Sequence, residues 1–145
     1  MAPPSIRVIA ICLFHHNGSI LVAEGIDSVK NERFARPLGG GIEPGESSGD
    51  AIIREIREET SQEITNLRLL GVLENLFTYE GKSCHEIVFV YDGSFADTTI
   101  PSRGEIPMVE EGWLGTVRWR PLTSFGEHCR LVPEGLSNFL KTTVM

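Results

Sequence analysis

The chain has no basic surplus, no CxxC pair, no apolar run long enough to span a bilayer, and no internal repeat or low-complexity tract. Each absence removes a class of protein. A formal net charge of −7 over 145 residues argues against a nucleic-acid polymer or an anionic membrane as main partner, because both select a basic face. A small phosphorylated ligand stays admissible, since a divalent metal offsets its charge. Three widely separated cysteines, Cys12, Cys84 and Cys129, fit no disulfide or zinc spacing and read as reduced thiols. The opening MAPPSIRVIAICLF has no base ahead of its apolar stretch and is too short to cross a membrane. We therefore expect an untargeted, cytoplasmic chain forming one domain over residues 1–145.

What is present is a series of strand-like runs around one helix. IRVIAICLF and ILVAEG flank Asn17-Gly18, a pair that tolerates positive φ at both central positions of a tight turn, and this predicts a hairpin. Residues 25–38 lack a clean period and read as loop; GGGIEPGESSG reads as irregular. Ser47 is a good N-cap with Asp50 three residues on, so a helix should begin there with Ile52, Ile53, Ile56 and Thr60 facing the core. LRLLGVLENLF, HEIVFVYDGSF and GTVRWRPL read as further strands, and PEGLSNFLKTTV as a short closing helix with Leu136, Phe139 and Leu140 inward. The order of elements predicts an α/β fold.

The helix carries an electrostatic oddity. In Arg54–Gln62, REIREETSQ, three glutamates (Glu55, Glu58 and Glu59) fall within about 100° of arc, opposite the isoleucines. Like charges at that spacing cost an isolated helix roughly 0.2–0.5 kcal/mol per pair. A solvated acidic face is the plain interpretation. The glycine loop just before the helix adds a second one, because glycine lets backbone approach a bound ion and hard divalent cations want oxygen ligands. The loop is not a P-loop, for no Gly-Lys-Ser/Thr follows it.

The joint spacing of loop and helix decides between them. GGIEPGESSGDAIIREIREETSQ, residues 40–62, resembles the Nudix box, G-x5-E-x7-R-E-U-x-E-E-x-G-U with U a bulky aliphatic residue. Gly40, Glu46, Arg54, Glu55, Ile56, Glu58 and Glu59 match at the right intervals over about a sixth of the chain. The resemblance implies a Nudix-like α/β/α sandwich with a mixed β-sheet. It implies Mg²⁺ or Mn²⁺ held by Glu55, Glu58, Glu59 and the Gly40 carbonyl, with Glu46 and Arg54 paired to fix the loop against the helix. It also implies hydrolysis of the diphosphate linkage of a nucleoside diphosphate joined to another moiety. Catalytic roles then fall to Glu58, Glu55, Arg54 and Glu46, with Glu58 or a later glutamate (Glu105, Glu110 or Glu111) taking the proton from water.

Two positions leave the pattern. Ser61 stands where the family has glycine, and Gln62 where it has an aliphatic residue. The helix should then run on or end differently, and the aliphatic side chain missing at Gln62 should be given up or replaced by Ile64. For the substrate we single out Arg36, Tyr79, Glu86 and Glu111. Phe34, Phe77 and Trp113 are further stacking candidates, and Arg33 and Lys30 further phosphate ligands. The expected partner is a small nucleotide or nucleoside-diphosphate, and a homodimer is left open. The competing reading is a non-catalytic Nudix-fold sensor that binds nucleotide or sugar phosphate without turnover. Three mutually repelling glutamates favour the enzyme.

Overall fold

The computed structural model describes residues 5–110 and 113–143. The predicted hairpin is β1 (Ile6–His16) and β2 (Ser19–Asp27), joined by Asn17 and Gly18 at φ 50° and 78°. The two strands pair only at the turn, His15 with Ile20 and His16 with Ser19. Beyond it they splay, and each finds other partners. β1 pairs with β4 (Leu38–Gly41) on one side and runs parallel to β6 (Lys82–Phe95) on the other. β2 divides its length: Ser19–Val22 pair with β8 (Trp113–Pro121), and Ala23–Asp27 with β3 (Glu32–Arg36). β5 (Ile64–Tyr79) lies antiparallel to β6, β7 (Glu105–Glu110) pairs with β8, and the two-residue β9 (Arg130–Leu131) runs beside β3. The result is one mixed, curled sheet.

A helix covers each face. On one, α1 (Ser48–Thr60) sets Ile52 and Ile56, both fully buried, against Ala10, Cys12, Phe14, Leu21, Ile106 and Met108. On the other, α2 (Leu136–Thr143) adds Leu136 and Leu140 to Ile11, Leu13, Ile20, Val22, Val88 and Val90. Strand alternation assigns odd and even residues to opposite layers, so the α/β/α sandwich is built as expected. Phe139 packs against the second cluster, while Ile53 and Thr60 are only half-buried. No helix among the described residues is long and apolar enough to cross a membrane.

Two segments expected to be irregular are strands. β3 falls inside the stretch read as loop, and β4 inside the glycine run. In ERFAR only Ala35 is fully buried, so an alternation of one core residue left no visible period. The glycines of β4 are needed for close approach rather than flexibility. A Cβ at Gly39 would lie 2.0 Å from the Ala10 carbonyl oxygen, and one at Gly40 would lie 2.4 Å from the Glu55 carboxyl carbon. Bare backbone lets the strand press against β1 and α1 at once.

The helix exit also differs from expectation. Ser61 adopts the left-handed conformation itself, φ 62° and ψ 22°, and its N–H donates to the Arg57 carbonyl at 2.9 Å. α1 therefore stops at Thr60, as a glycine would make it, at the steric cost of a Cβ. Ile64 supplies the aliphatic packing that Gln62 does not, resting against the α1-side core.

Candidate functional site

Arg54 organises the site. Its Nε and Nη2 donate to the two Glu46 oxygens at 2.7 and 2.9 Å, and Nη2 also donates to the Gly41 carbonyl at 3.0 Å. Nη1 donates to Glu55 at 3.1 Å and Glu58 at 3.3 Å. Glu46 Oε1 accepts from the Glu43 N–H at 3.1 Å, so the loop is tied to the helix at side chain and backbone. Fork-to-fork geometry of this kind suits a guanidinium and a carboxylate. The Arg54 hydrogen bond, then the Glu43 N–H, hold Glu46 down at about 2. The same carboxylates raise Arg54 above its usual range.

The three helix glutamates share a face but meet different surroundings. Glu58 points outward with its side chain 60% exposed. Glu55 sits under Gly40, and burial raises its pKa, opposed by Arg54 and reinforced by the charges of Glu58 and Glu110. Glu59 is turned inward and 4% exposed. Burial, then a hydrogen bond to Glu110 and the charges of Glu110 and Glu55, push it up to about 9.

Glu110 is the residue that sequence reasoning underrated. β7 packs Ile106 and Met108 against α1, and the same alternation aims Glu110 at the helix. There it accepts two hydrogen bonds from Arg36 Nη2, at 2.9 and 2.8 Å, and interacts with the Glu59 carboxyl. Burial opposes its ionisation, yet Arg36 outweighs burial and keeps the carboxyl below its ordinary range. The period-two pattern Ile106–Met108–Glu110 was the signal that could have found it. Arg36, picked as a substrate ligand, thus lies at the rim of the acidic site.

The other substrate candidates lie apart from it. Tyr79 is edge-on to Phe34, with ring centroids 5.8 Å apart, at the tip of the β5–β6 hairpin. Glu86 faces Arg7 at 3.6 Å, and it keeps step along β6 with Val88 and Val90 of the α2-side core, not with the α1 layer. Glu111 lies outside the described residues. Glu105 is exposed at the far end of β7.

The donor set fits a hard divalent cation in two respects. It consists of carboxylate oxygens beside a close-approaching glycine backbone. Glu59 Oε1 is also buried without a hydrogen-bond partner among the described residues, an arrangement that is costly unless something else satisfies the oxygen. As they stand, no three His, Cys, Asp or Glu side chains among the described residues close around one point.

A model of the NUDIX domain matches residues 3–139. The chain belongs to the Nudix family. Fold comparison agrees. A MutT NUDIX hydrolase from Burkholderia pseudomallei superposes with a TM-score of 0.65 over 94% of this chain and 97% of that one, at 21% identity. A UDP-X diphosphatase superposes at 0.62 over 99% and 66%, at 18% identity. Among curated proteins, the NAD-capped RNA hydrolase NudC of Pseudomonas putida is 50% identical over 34 residues. That match spans 23% of this chain and 12% of NudC. At these identities the structural likenesses speak for the Nudix fold, and the activity has to be argued from the site.

Proposed function

We propose that this Nudix chain hydrolyses the diphosphate linkage of a nucleoside diphosphate joined to another group, using Mg²⁺ or Mn²⁺. The observation that carries the reading is the orphaned, buried Glu59 oxygen beside Glu55 and Glu110, with the bare backbone of Gly40 pressed against Glu55. Glu55, Glu58, Glu59 and the Gly40 carbonyl would hold the ion. When bound, it offsets phosphate charge and lowers the pKa of water held beside it.

The chain's own residues do the rest. Glu46 and Arg54 clamp the loop to the helix and so fix Gly40 relative to Glu55. Arg54 also holds one oxygen each of Glu55 and Glu58, setting the direction of the remaining lone pairs. Glu58, the most exposed of the three, is placed to accept the proton of an attacking water. Glu110 is the other carboxylate in reach, and Arg36 keeps it ionised. Arg36 itself supplies a guanidinium at the rim for a phosphate oxygen once Glu110 turns toward the ion.

The test is a panel of nucleoside diphosphate sugars, dinucleotides and nucleoside triphosphates with Mg²⁺ and Mn²⁺, run on the wild type, Glu58→Gln and Glu110→Gln. Release of nucleotide or phosphate should require the metal and collapse in Glu58→Gln. Equal turnover in wild type and Glu58→Gln would remove the site assignment. Tight binding without turnover across the panel would establish a sensor instead.

A further inference from the structure

The sheet face turned away from α1 holds the opposite charge pattern. Glu24 keeps step with Val22 on β2, and Arg118 and Arg120 alternate with Val117 and Trp119 on β8, so all three side chains leave the sheet on the α2 side. Arg33 keeps step with Ala35 and emerges on that side too. These residues, with His128 and Cys129, line an open cleft of about 510 Å³, within the size range of small-ligand sites. Three of the chain's thirteen lysine and arginine residues thus line one cleft beside Glu24, in a protein of net charge −7.

The arrangement is built rather than incidental. Arg120 is fixed from every side: Nε and Nη2 donate to the Ser124 hydroxyl and carbonyl at 3.2 and 3.0 Å, and Nη1 donates to the Cys129 sulfur at 2.9 Å. Its guanidinium lies 4.8 Å from the Phe125 ring centroid, and its side chain is 16% exposed. The one carboxylate near it, Glu24, is 3.4 Å away and is already engaged by Arg118 through Nε and Nη2 at 3.0 and 3.2 Å. Arg118 Nη1 and the whole Arg33 guanidinium have no hydrogen-bond partner among the described residues. Burial works against the charge on Glu24, yet Arg118, then Arg120 and Arg33, hold it ionised. Glu24 and, across the ladder from Arg118, the exposed Glu105 therefore face three guanidinium groups, with Arg33 and one nitrogen of Arg118 left to donate.

We infer that this cleft is a second ligand site, separate from the carboxylate helix, that binds a phosphate-type oxyanion across Arg33 and Arg118 over the fixed charge of Arg120. Guanidinium groups suit phosphate because they offer paired, planar donors. The sheet stands between the cleft and α1, and Arg33 and Arg36 point to opposite faces of β3, so one diphosphate cannot occupy both places. The source of the oxyanion is either free phosphate or the phosphate group of a nucleotide. Glu24 is the ligand's internal competitor.

Thermal melting and calorimetry on the full chain in metal-free buffer separate these cases, with inorganic phosphate and AMP as probes and KCl at matched ionic strength as reference. Wild type and Glu58→Gln should be stabilised alike by phosphate, by AMP, or by both. A response to phosphate identifies the free ion as sufficient; a response to AMP alone identifies a nucleotide phosphate. Arg33→Gln/Arg118→Gln, altered at exposed side chains, should bind at least tenfold more weakly, the drop expected from a missing charge-assisted hydrogen bond. Glu24→Gln should bind several-fold more tightly. No stabilisation beyond KCl, undiminished binding in the double variant, or weaker binding in Glu24→Gln would overturn the site.

Discussion

The two faces of the sheet are electrostatic opposites. On the α1 side, Glu46, Glu55, Glu58, Glu59 and Glu110 share Arg36 and Arg54. On the other side, Arg33, Arg118 and Arg120 surround Glu24, with Glu105 across the ladder from Arg118. Each face leaves charge uncompensated, and each places part of the excess where water is scarce: Glu59 at 4% exposure, Arg120 at 16%. Unpaired charge in such places is expensive. The faces differ in how the excess is relieved. Glu59 takes up a proton, with its pKa pushed to about 9. A guanidinium cannot release one, so Arg120 is held instead by Ser124, Cys129, the Phe125 ring and a long contact to Glu24 at 3.4 Å. A protonated acid can exchange its proton for a cation; a fixed arginine can only add an anion.

Four experiments would break or sharpen this contrast. The largest effect is expected at Glu58, whose conversion to glutamine should lower turnover by about 10²–10⁴, the range for removal of a general base, read as kcat in the substrate panel. Arg54→Ala should come next. It strands Glu46 and Glu55 and frees the loop from the helix, so urea denaturation should show a destabilisation of about 2–3 kcal/mol, together with weaker Mg²⁺-dependent stabilisation. An unchanged midpoint would mean the Arg54 network is incidental.

The third concerns acid. Glu46 has its folded pKa depressed from 4.5 to about 2, so its ion pair stabilises the fold above about pH 4.5, and that contribution disappears as pH falls toward 2. Melting temperature followed from pH 6 to pH 2 should therefore decline less steeply in Glu46→Gln than in the wild type. Parallel curves would show that the pair does not govern this window. The smallest effect belongs to Ser61→Gly, which removes a Cβ from a left-handed residue and should stabilise by roughly 0.5–1 kcal/mol. A fall in stability there would mean that the serine side chain contributes something the backbone geometry does not show.

Sequence reading succeeded where the determining interactions are local. Asn17-Gly18 set the hairpin, Ser47 accepted the Asp50 N–H at 3.1 Å as a cap should, and helical spacing alone put Glu55, Glu58 and Glu59 on one face. It misread β3 and β4, because what makes ERFAR and LGGG strands is the edge of β2 or β1 beside them, not a period of their own. It left Glu110 as one of three eligible later glutamates, beside Glu105 and Glu111. Only the packing of Met108 on α1 decides that Glu110, two residues on along β7, is delivered to Glu59. It foresaw a disturbed helix exit at Ser61, whereas one serine can bear a left-handed φ when its N–H is bonded to Arg57.

The sequence by itself determined the Nudix box, the acidic helix and the turns, since each rests on spacings of a few residues that a helix or a tight turn converts directly into geometry. Tertiary structure decided the rest. It brought Glu110 to Glu59 by packing β7 on α1, and it gathered Glu24, Arg33, Arg118 and Arg120 from three strands into one cleft. Glu24 and Arg118 meet across 94 residues of chain. Sheet pairing alone sets which distant side chains become neighbours, and no local spacing encodes it.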